Sequence, residues 1–83
     1  KIIARELALI KAQSSPETRS DIIQIAQMFR ANIVDVGTDS IVVEVTGSED
    51  KIAALQDLLN PYTVIQMMRT GRVAMTRGNN KEV

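Results

Sequence analysis

Few residues of this chain have the chemistry that catalysis or metal binding requires. The 83-residue sequence contains no cysteine and no histidine, which excludes thiolate nucleophiles, zinc sites built from these ligands, and the most common general base near neutral pH. Four carboxylates remain as candidates for acid–base chemistry or an oxygen-only metal site: Glu6, Asp35, Asp39 and Glu44. No spacing forces any two of them together, so we predict neither a catalytic residue nor a metal site.

Basic side chains accumulate toward the end of the chain. From Val64 onward there are four basic residues and one acidic residue, whereas residues 1–63 contain six basic and nine acidic ones. This asymmetry indicates either a docking surface for an acidic partner or phosphate, or a solvated tail. Arg69 and Arg72 are the better candidates for docking, because they flank the dipeptide Thr70–Gly71 between two predicted strands.

The total charge and the aromatic content argue against nucleic acid as a partner. Ten basic and ten acidic side chains cancel, and Phe29 and Tyr62 are the only aromatic residues, so neither polyanion attraction nor base stacking is favoured. Two glycine-containing segments, 47–49 and 70–72, could be read as anion-binding loops. Acidic Glu49 makes the first of them a helix cap rather than an anion site.

Hydrophobic periodicity predicts the elements that position these residues. Alternation over residues 4–12 predicts a first strand with apolar side chains on both faces. A helix follows, with Ser15 as its cap and Pro16 as its first residue, and it is predicted to end near residues 31–32. Its apolar stripe consists of Ile22, Ile25, Ala26 and Phe29. The remaining predicted elements are strands 33–36 and 41–46 in a hairpin, a second helix from the Ser48 cap to Asn60–Pro61, a strand at 64–69 and a short strand at 73–75.

The order of these elements, β-α-β-β-α-β plus a short C-terminal strand, is the split βαβ pattern of a ferredoxin-like α+β sandwich. We therefore predict an antiparallel four-stranded sheet with two helices on one face, formed by residues 1–78 as a single domain. Residues 79–83 are predicted to be a flexible tail. Right-handed crossovers are expected to place the first and last main strands in the middle of the sheet, with the hairpin at one edge.

Two helices cover only one face of such a sheet, yet the first strand and segments 41–45 and 64–68 carry apolar side chains on both faces. Contiguous apolar patches of this kind usually mark contact surfaces. We therefore predict a homodimer through the open sheet face or the sheet edge, or a contact with another domain. No apolar run approaches the ~20 residues that cross a bilayer, so no membrane partner is expected. The cysteine-free composition favours a reducing cytoplasm.

Five segments of the chain match a family pattern in order: residues 5–11, 29–31 with 33–36, 44–47 with 50–52, 58–62 and 69–78. Together they resemble the C-terminal domain of the small, regulatory subunit of acetolactate synthase (acetohydroxyacid synthase). The resemblance extends from Ala4 to Gly78. One position departs from the pattern, because Thr63 stands where the family usually has glycine, and this departure bears on whether a tight turn forms there.

The resemblance implies a regulatory role rather than catalysis. In this family the large subunit binds thiamine diphosphate, Mg²⁺ and FAD, and condenses pyruvate with pyruvate or 2-oxobutyrate in branched-chain amino acid biosynthesis. The small subunit raises that activity and confers feedback inhibition, through an effector site in an N-terminal ACT domain that the resemblance does not cover. This chain is therefore expected to bind no cofactor itself. The implied location is the cytoplasm, or the plastid in a plant.

The partners implied by the resemblance are a second copy of the chain and the large catalytic subunit. We hypothesise that Arg5 and the predicted turn Arg69, Thr70, Gly71 and Arg72 form part of the large-subunit contact. The alternative for the turn is that it only closes the last strand pair, with Gly71 chosen for a positive φ. The alternative for the whole chain is a stand-alone ACT-like sensor of an amino acid or a metal ion, because the fold does not separate the two functions.

Overall fold

The computed structural model describes residues 1–78, and these form a ferredoxin-like α+β fold in the predicted order of elements. The predicted flexible tail at 79–83 lies outside the described residues, and the extent of the predicted single domain stays a prediction. The elements are β1 (Ile2–Gln13), α1 (Arg19–Met28), β2 (Asn32–Val36), β3 (Ser40–Gly47), α2 (Glu49–Leu59), a 3₁₀ turn (Asn60–Tyr62), β4 (Val64–Arg69) and β5 (Val73–Thr76).

The sheet has the strand order β2-β3-β1-β4, and β5 pairs with β1. All pairings are antiparallel. The hairpin occupies one edge and the neighbouring position as predicted, but the prediction that β4 lies in the middle is wrong. Two strands that are joined through a helix leave room for one strand between them, and a strand from the other half of the fold occupies that position. β3 therefore lies between β2 and β1, β1 lies between β3 and β4, and β4 becomes an edge strand.

The long first strand has different neighbours along its length. Residues 6–13 pair with β3, from Glu6 opposite Gly47 to Gln13 opposite Ser40. Residues 2–5 extend past this ladder and pair with β5. We call the two-stranded part formed by residues 2–5 and 73–76 the ribbon. Because a two-stranded sheet is only marginally stable in water, the ribbon depends on what fixes its base.

The predicted turn at residues 70–72 does not reverse the chain. Both β4 and β5 run antiparallel to β1, so β5 continues in the direction of β4. Ala8 pairs with Arg69 and Arg5 pairs with Val73, so three steps along β1 face four steps along the other chain. One extra residue is therefore accommodated, which is the definition of a β-bulge. We call residues 70–72 the bulge.

The helices pack on one face of the sheet and form the core with it. Alternate residues of the two central strands point toward the helices, and each buried Ile, Leu or Val side chain contributes about 1.5–3 kcal/mol. The fully buried apolar residues are Ala8, Ile10 and Ala12 of β1, Ile41, Val43 and Val45 of β3, Ile22 and Ala26 of α1, and Ile52, Leu55 and Leu59 of α2. The predicted helix stripes are thus confirmed, with Ile25 and Phe29 partly buried against the same core.

The two helices begin differently. In α2, the Ser48 hydroxyl accepts a hydrogen bond of 3.2 Å from the Lys51 N–H, as the predicted cap requires. The prediction that α1 begins at Pro16 is wrong, since the helix begins at Arg19. The Ser15 hydroxyl does not cap it. Instead the Ser15 N–H donates to the Thr18 hydroxyl over 2.9 Å, and this local bond favours a turn over the first helical residues.

Thr63 forms the tight turn that leads into β4. Its φ is 70°, in the left-handed region that a β-branched residue rarely adopts. Its N–H donates to the Asn60 carbonyl and its carbonyl accepts from the Gln13 N–H, both over 2.9 Å. These two bonds hold the backbone in place, so the turn forms although glycine is absent.

We expect Thr63→Gly to stabilise the protein. The left-handed conformation costs a non-glycine residue roughly 1–2 kcal/mol, and the added freedom of the unfolded chain offsets part of that gain. The unfolding free energy should rise by roughly 0.5–1 kcal/mol in urea denaturation. Thr46→Gly, an exposed threonine inside β3, is the matched control and should destabilise. A Thr63→Gly variant that is as destabilised as Thr46→Gly would contradict strain at this position.

Candidate functional site

A bidentate ion pair lies at the base of the ribbon. Glu6 belongs to the helix-facing side of β1 and is only 5% exposed. The Arg69 Nε donates to Glu6 Oε1 over 2.7 Å, and Arg69 Nη2 donates to Glu6 Oε2 over 2.9 Å. Two parallel charge-assisted bonds fix both the distance and the orientation of the planar groups. The last residue of β4 is thereby fixed to the first residue of the β1–β3 ladder.

The bulge is held to β1 by its own hydrogen bonds. The Thr70 N–H donates to the Leu7 carbonyl over 3.0 Å, and the Leu7 N–H donates to the Thr70 hydroxyl over 3.1 Å. Gly71 has a φ of 83°, which agrees with the reason expected for glycine at this position. The bulge is therefore an ordered connection rather than a loose loop.

The same cluster controls the ionisation of Glu6. The hydrogen bond from Arg69 lowers the pKa of Glu6 below its ordinary value of 4.5, and burial opposes this effect. The charge of Arg69, a backbone hydrogen bond from Gly71 and the charge of Arg72 lower this pKa further. The hydrogen bond to Glu6 also raises the pKa of Arg69, with a small contribution from Glu49 at the start of α2.

The predicted site residues divide into two groups. Arg69, Thr70 and Gly71 are engaged within the chain by the bonds above. Arg5 and Arg72 are exposed, and among residues 1–78 neither has a carboxylate within the 4.0 Å ion-pair distance. Arg5 makes a single bond of 2.7 Å from Nη1 to the neighbouring carbonyl of Ala4. These two cations are therefore available to a partner.

Exposed apolar side chains of the ribbon lie beside Arg5, and Arg72 precedes them in the adjoining bulge. Val73 is 69% exposed and Met75 is 74% exposed, and Ile2 and Ile3 are also exposed. Ile3, Arg5, Val73, Ala74 and Met75 line a shallow depression of about 170 Å³. A surface that combines uncompensated positive charge with large apolar side chains suits a protein partner with an acidic, partly apolar surface.

The open face of the sheet is a second candidate surface. Because directly opposite residues share a face, the strand register places Leu9 beside Glu44 and Met68, and Lys11 beside Val42 and Gln66. Five of these residues line a depression of about 160 Å³: Leu9, Lys11, Val42, Gln66 and Met68. This side therefore has an apolar centre between one cation and one anion.

A third concavity lies at the opposite end of β1 from the ribbon. Its volume is about 270 Å³ and its lining residues are Gln13, Ser14, Ser15, Thr18, Pro61, Tyr62 and Thr63. None of these side chains carries a charge that could pair with the ammonium or carboxylate group of an amino acid. Within residues 1–78, no group of three or more histidine, cysteine, aspartate or glutamate side chains could hold a metal ion, and no helix is long and apolar enough to cross a membrane.

Sequence reasoning missed the role of Glu6. The residue entered the sequence analysis as one of four dispersed carboxylates, whereas the structure makes it the acceptor at the base of the ribbon. A signal was present, because strand alternation places Glu6 on the same face as Ala8 and Ile10, which are fully buried. A carboxylate at such a position requires a cationic partner. The identity of that partner, Arg69, depends on the register of an edge strand and is not visible in the sequence.

Comparison with known proteins gives a consistent family. The family model described as "Small subunit of acetolactate synthase" matches residues 5–78. The chain is 49% identical over 79 residues to the probable acetolactate synthase small subunit of Archaeoglobus fulgidus, covering 95% of this chain and 50% of that protein. It is 52% identical over 81 residues to the acetolactate synthase small subunit of Bacillus subtilis, covering 98% and 47%.

The fold is also similar to a solved structure. The crystal structure of the acetolactate synthase small subunit from Thermotoga maritima superposes with a TM-score of 0.87 at 38% sequence identity, covering 95% of this chain and 48% of that one. The chain thus spans about half the length of the relatives it matches.

The Glu6–Arg69 pair predicts a specific sensitivity to acid. The pKa of Glu6 in the folded chain lies below 4.5. The ion pair therefore stabilises the folded state fully above about pH 4.5, and this stabilisation is lost as the pH falls through the lowered pKa of the folded state. Glu6→Gln removes this titration and leaves Arg69 with a weaker acceptor. We expect Glu6→Gln to melt at a lower temperature than the parent at neutral pH, with the difference shrinking as the pH falls below about 4.5. Circular dichroism melting curves recorded at each pH measure the melting temperatures of the parent and of the variant.

The control for this experiment is Glu17→Gln, which removes an exposed carboxylate and retains the ion pair. This variant should keep the acid sensitivity that the parent owes to Glu6. A difference between Glu6→Gln and the parent that stays constant or widens on acidification would show that the ion pair is not its source.

Proposed function

Because the matched family model spans almost all of it, this chain belongs to the family of the acetolactate synthase small subunit, and we propose that it is a non-catalytic regulatory unit that binds and activates the large catalytic subunit. The single observation that supports a binding role is the pair of exposed cations, Arg5 on the apolar ribbon and Arg72 in the adjoining bulge, with the base of the ribbon fixed by the Glu6–Arg69 bonds. The proposal places this chain in the C-terminal part of such a subunit.

The proposal assigns the reaction and its cofactors to the large subunit. That subunit would hold thiamine diphosphate, Mg²⁺ and FAD, and would form acetolactate in branched-chain amino acid biosynthesis. The composition of the chain is compatible with this division, because it has neither cysteine nor histidine, and the concavity of about 270 Å³ is lined by uncharged side chains. The proposed location is the cytoplasm, or the plastid in a plant.

The ribbon is the proposed contact with the large subunit. A regulatory protein raises activity only when it binds the active state of its partner more tightly than the inactive state. A preorganised surface suits this task, because little conformational entropy is lost when it docks. The bonds from Leu7 to Thr70 and from Glu6 to Arg69 supply that preorganisation, and Arg5 and Arg72 supply the charge.

The open face is the proposed surface for self-association into a homodimer. Its apolar centre lies on the side of the sheet without helices, and Leu9 and Met68 there are 37% and 60% exposed. The two proposed surfaces are formed by different side chains.

Charge reversal at Arg5 and Arg72 tests the ribbon contact. In Arg5→Glu/Arg72→Glu we expect the affinity for the large subunit to fall on the order of 10-fold or more, because two favourable rim charges become repulsive. Acetolactate formation by the large subunit, titrated with this chain or its variants, measures the effect. Arg30→Glu is the control, since Arg30 is exposed at the end of α1, away from the ribbon. Equal activation by the parent and the double variant would contradict the ribbon contact.

Charge reversal at Arg69 is expected to lower the stability of the free chain, unlike charge reversal at Arg5 and Arg72. The two experiments therefore separate an effect on folding from an effect on binding. Arg69→Glu places a second carboxylate against the buried Glu6, so we expect a lower melting temperature even without the large subunit. Arg5→Glu/Arg72→Glu should melt close to the parent. If Arg69→Glu melted like the parent, the ion pair would not hold the base of the ribbon.

A further inference from the structure

The backbone groups of β1 alternate between its two sides, and the bonds near the ribbon show which residues face which side. The Leu7 carbonyl accepts from the Thr70 N–H, and the Leu7 N–H donates to the Thr70 hydroxyl. The Lys1 carbonyl accepts from the Arg77 N–H over 3.0 Å. The odd-numbered residues therefore direct their N–H and carbonyl groups toward β4 and β5. Because neighbouring residues of a strand direct these groups to opposite sides, the even-numbered residues direct theirs toward the line of β3.

No strand of residues 1–78 continues the line of β3 beside the ribbon. The ladder between β1 and β3 ends where Glu6 pairs with Gly47, and the chain then turns into α2. The N–H and carbonyl groups of Ile2 and Ala4 point into this space, and residues 2–5 pair only with β5 on the other side. We call these backbone groups of Ile2 and Ala4 the free edge. An edge of this kind is a template for one further strand.

A cation lies directly on the free edge. The Arg5 guanidinium donates from Nη1 to the Ala4 carbonyl over 2.7 Å, and this carbonyl belongs to the free edge. Arg5 is exposed, and among residues 1–78 it takes part in no ion pair. In a strand added here, the residue opposite Arg5 shares a face with the guanidinium, so an acidic residue is favoured there. Ile3 lies on the same face and is 38% exposed, so an apolar residue is favoured opposite it.

We propose that the free edge binds an extended segment of the large subunit as an additional β-strand, with an acidic residue opposite Arg5 and an apolar residue opposite Ile3. This deepens the proposed function and rests on it, since it specifies how the ribbon contacts its partner. In this mode of recognition the backbone bonds supply affinity and the alternate side chains supply specificity. Arg5 exchanges its bond to the Ala4 carbonyl for the carboxylate of the partner, and that carbonyl then accepts from the added strand.

The charges near the free edge disfavour a second copy of this chain as the added strand. Two copies that used the full free edge would pair antiparallel, with Ile3 opposite Ile3. That register places Arg5 of each copy opposite Lys1 of the other, so like charges meet at both ends. A segment with an acidic residue opposite Arg5 replaces this repulsion by attraction. Arg72, the exposed cation of the adjoining bulge, favours the same acidic partner.

Proline at position 4 tests this proposal, because it removes one N–H of the free edge and leaves every charge in place. Proline is tolerated in a strand where the missing N–H takes no part in a ladder. Ala74 is the matched control. It pairs directly with Ala4, and the N–H groups of the two residues point to opposite edges of the ribbon.

We expect Ala4→Pro to weaken binding to the large subunit on the order of 10-fold, and at least about five-fold more than Ala74→Pro, because only the first variant loses a bond to the added strand. Acetolactate formation by the large subunit, titrated with each variant, measures the two affinities. Parent-like affinity in Ala4→Pro, or equal weakening by both variants, would overturn the proposal. Arg5 would then only shield the edge from unwanted pairing.

Amide exchange of the unaltered chain keeps the test decisive if a proline variant does not fold, which circular dichroism would reveal. In the free chain the Ala4 amide should exchange faster than the Ile3 amide, which faces Met75 of β5. With the large subunit added, the Ala4 amide should become at least as protected as the Ile3 amide. An Ala4 amide that stays unprotected in the complex would overturn the strand addition.

Three results separate the strand addition from the other proposals. Parent-like affinity in Ala4→Pro together with weakened binding by Arg5→Glu/Arg72→Glu would refute the strand addition alone. A parent chain that neither binds nor activates the large subunit would refute the proposed function, and the strand addition with it. Sedimentation equilibrium without the large subunit tests the second copy as occupant. An Ala4→Pro variant that loses self-association and keeps its affinity for the large subunit would overturn the proposal.

Discussion

The bond between Glu6 and Arg69 is the interaction on which the rest of the structure depends. It lies where β1 leaves its ladder with β3 and begins to pair with β5, which is the point at which a continuous sheet becomes a ribbon. Without it, the Arg69 side chain would not be fixed against β1, and the base of the ribbon would keep only the strand pairing of Arg69 with Ala8 and the bonds between Leu7 and Thr70. The pair thus converts a marginal two-stranded extension into a surface of defined shape.

The uneven coverage of the sheet is the basis for proposing two contact surfaces. Both helices pack on one side, so apolar residues of the other side stay exposed, as at contact surfaces. The ribbon lies beyond the helices and has exposed apolar residues such as Val73 and Met75. The proposed surfaces differ in charge, since the ribbon and the adjoining bulge carry the cations Arg5 and Arg72, whereas the open face has one charge of each sign. Different charge patterns suit different partners, which is what a regulatory unit requires.

Much of the fold could be predicted from local sequence signals, and the errors have a common cause. The helices and strands follow from the spacing of hydrophobic residues and from helix-capping residues, such as Ser48 at the start of α2. The position of β4 and the bulge depend on strand pairing between distant residues, which no local pattern encodes. The start of α1 depends on competition between two hydroxyls, at Ser15 and Thr18. For the site, the charge asymmetry indicates Arg72 and the hypothesis that follows the resemblance adds Arg5, and both stay predictions, but the role of Glu6 required the register.

Hydrogen–deuterium exchange of this chain, alone and with the large subunit, tests most directly the claim that the ribbon is a docking surface. The ribbon amides, at residues 2–5 and 73–76, should exchange fast in the free chain, because two-stranded pairing opens readily. Strong protection of these amides is expected when the large subunit is added, with little change in the helices. Protection confined to α1 and α2, with the ribbon unchanged, would contradict it.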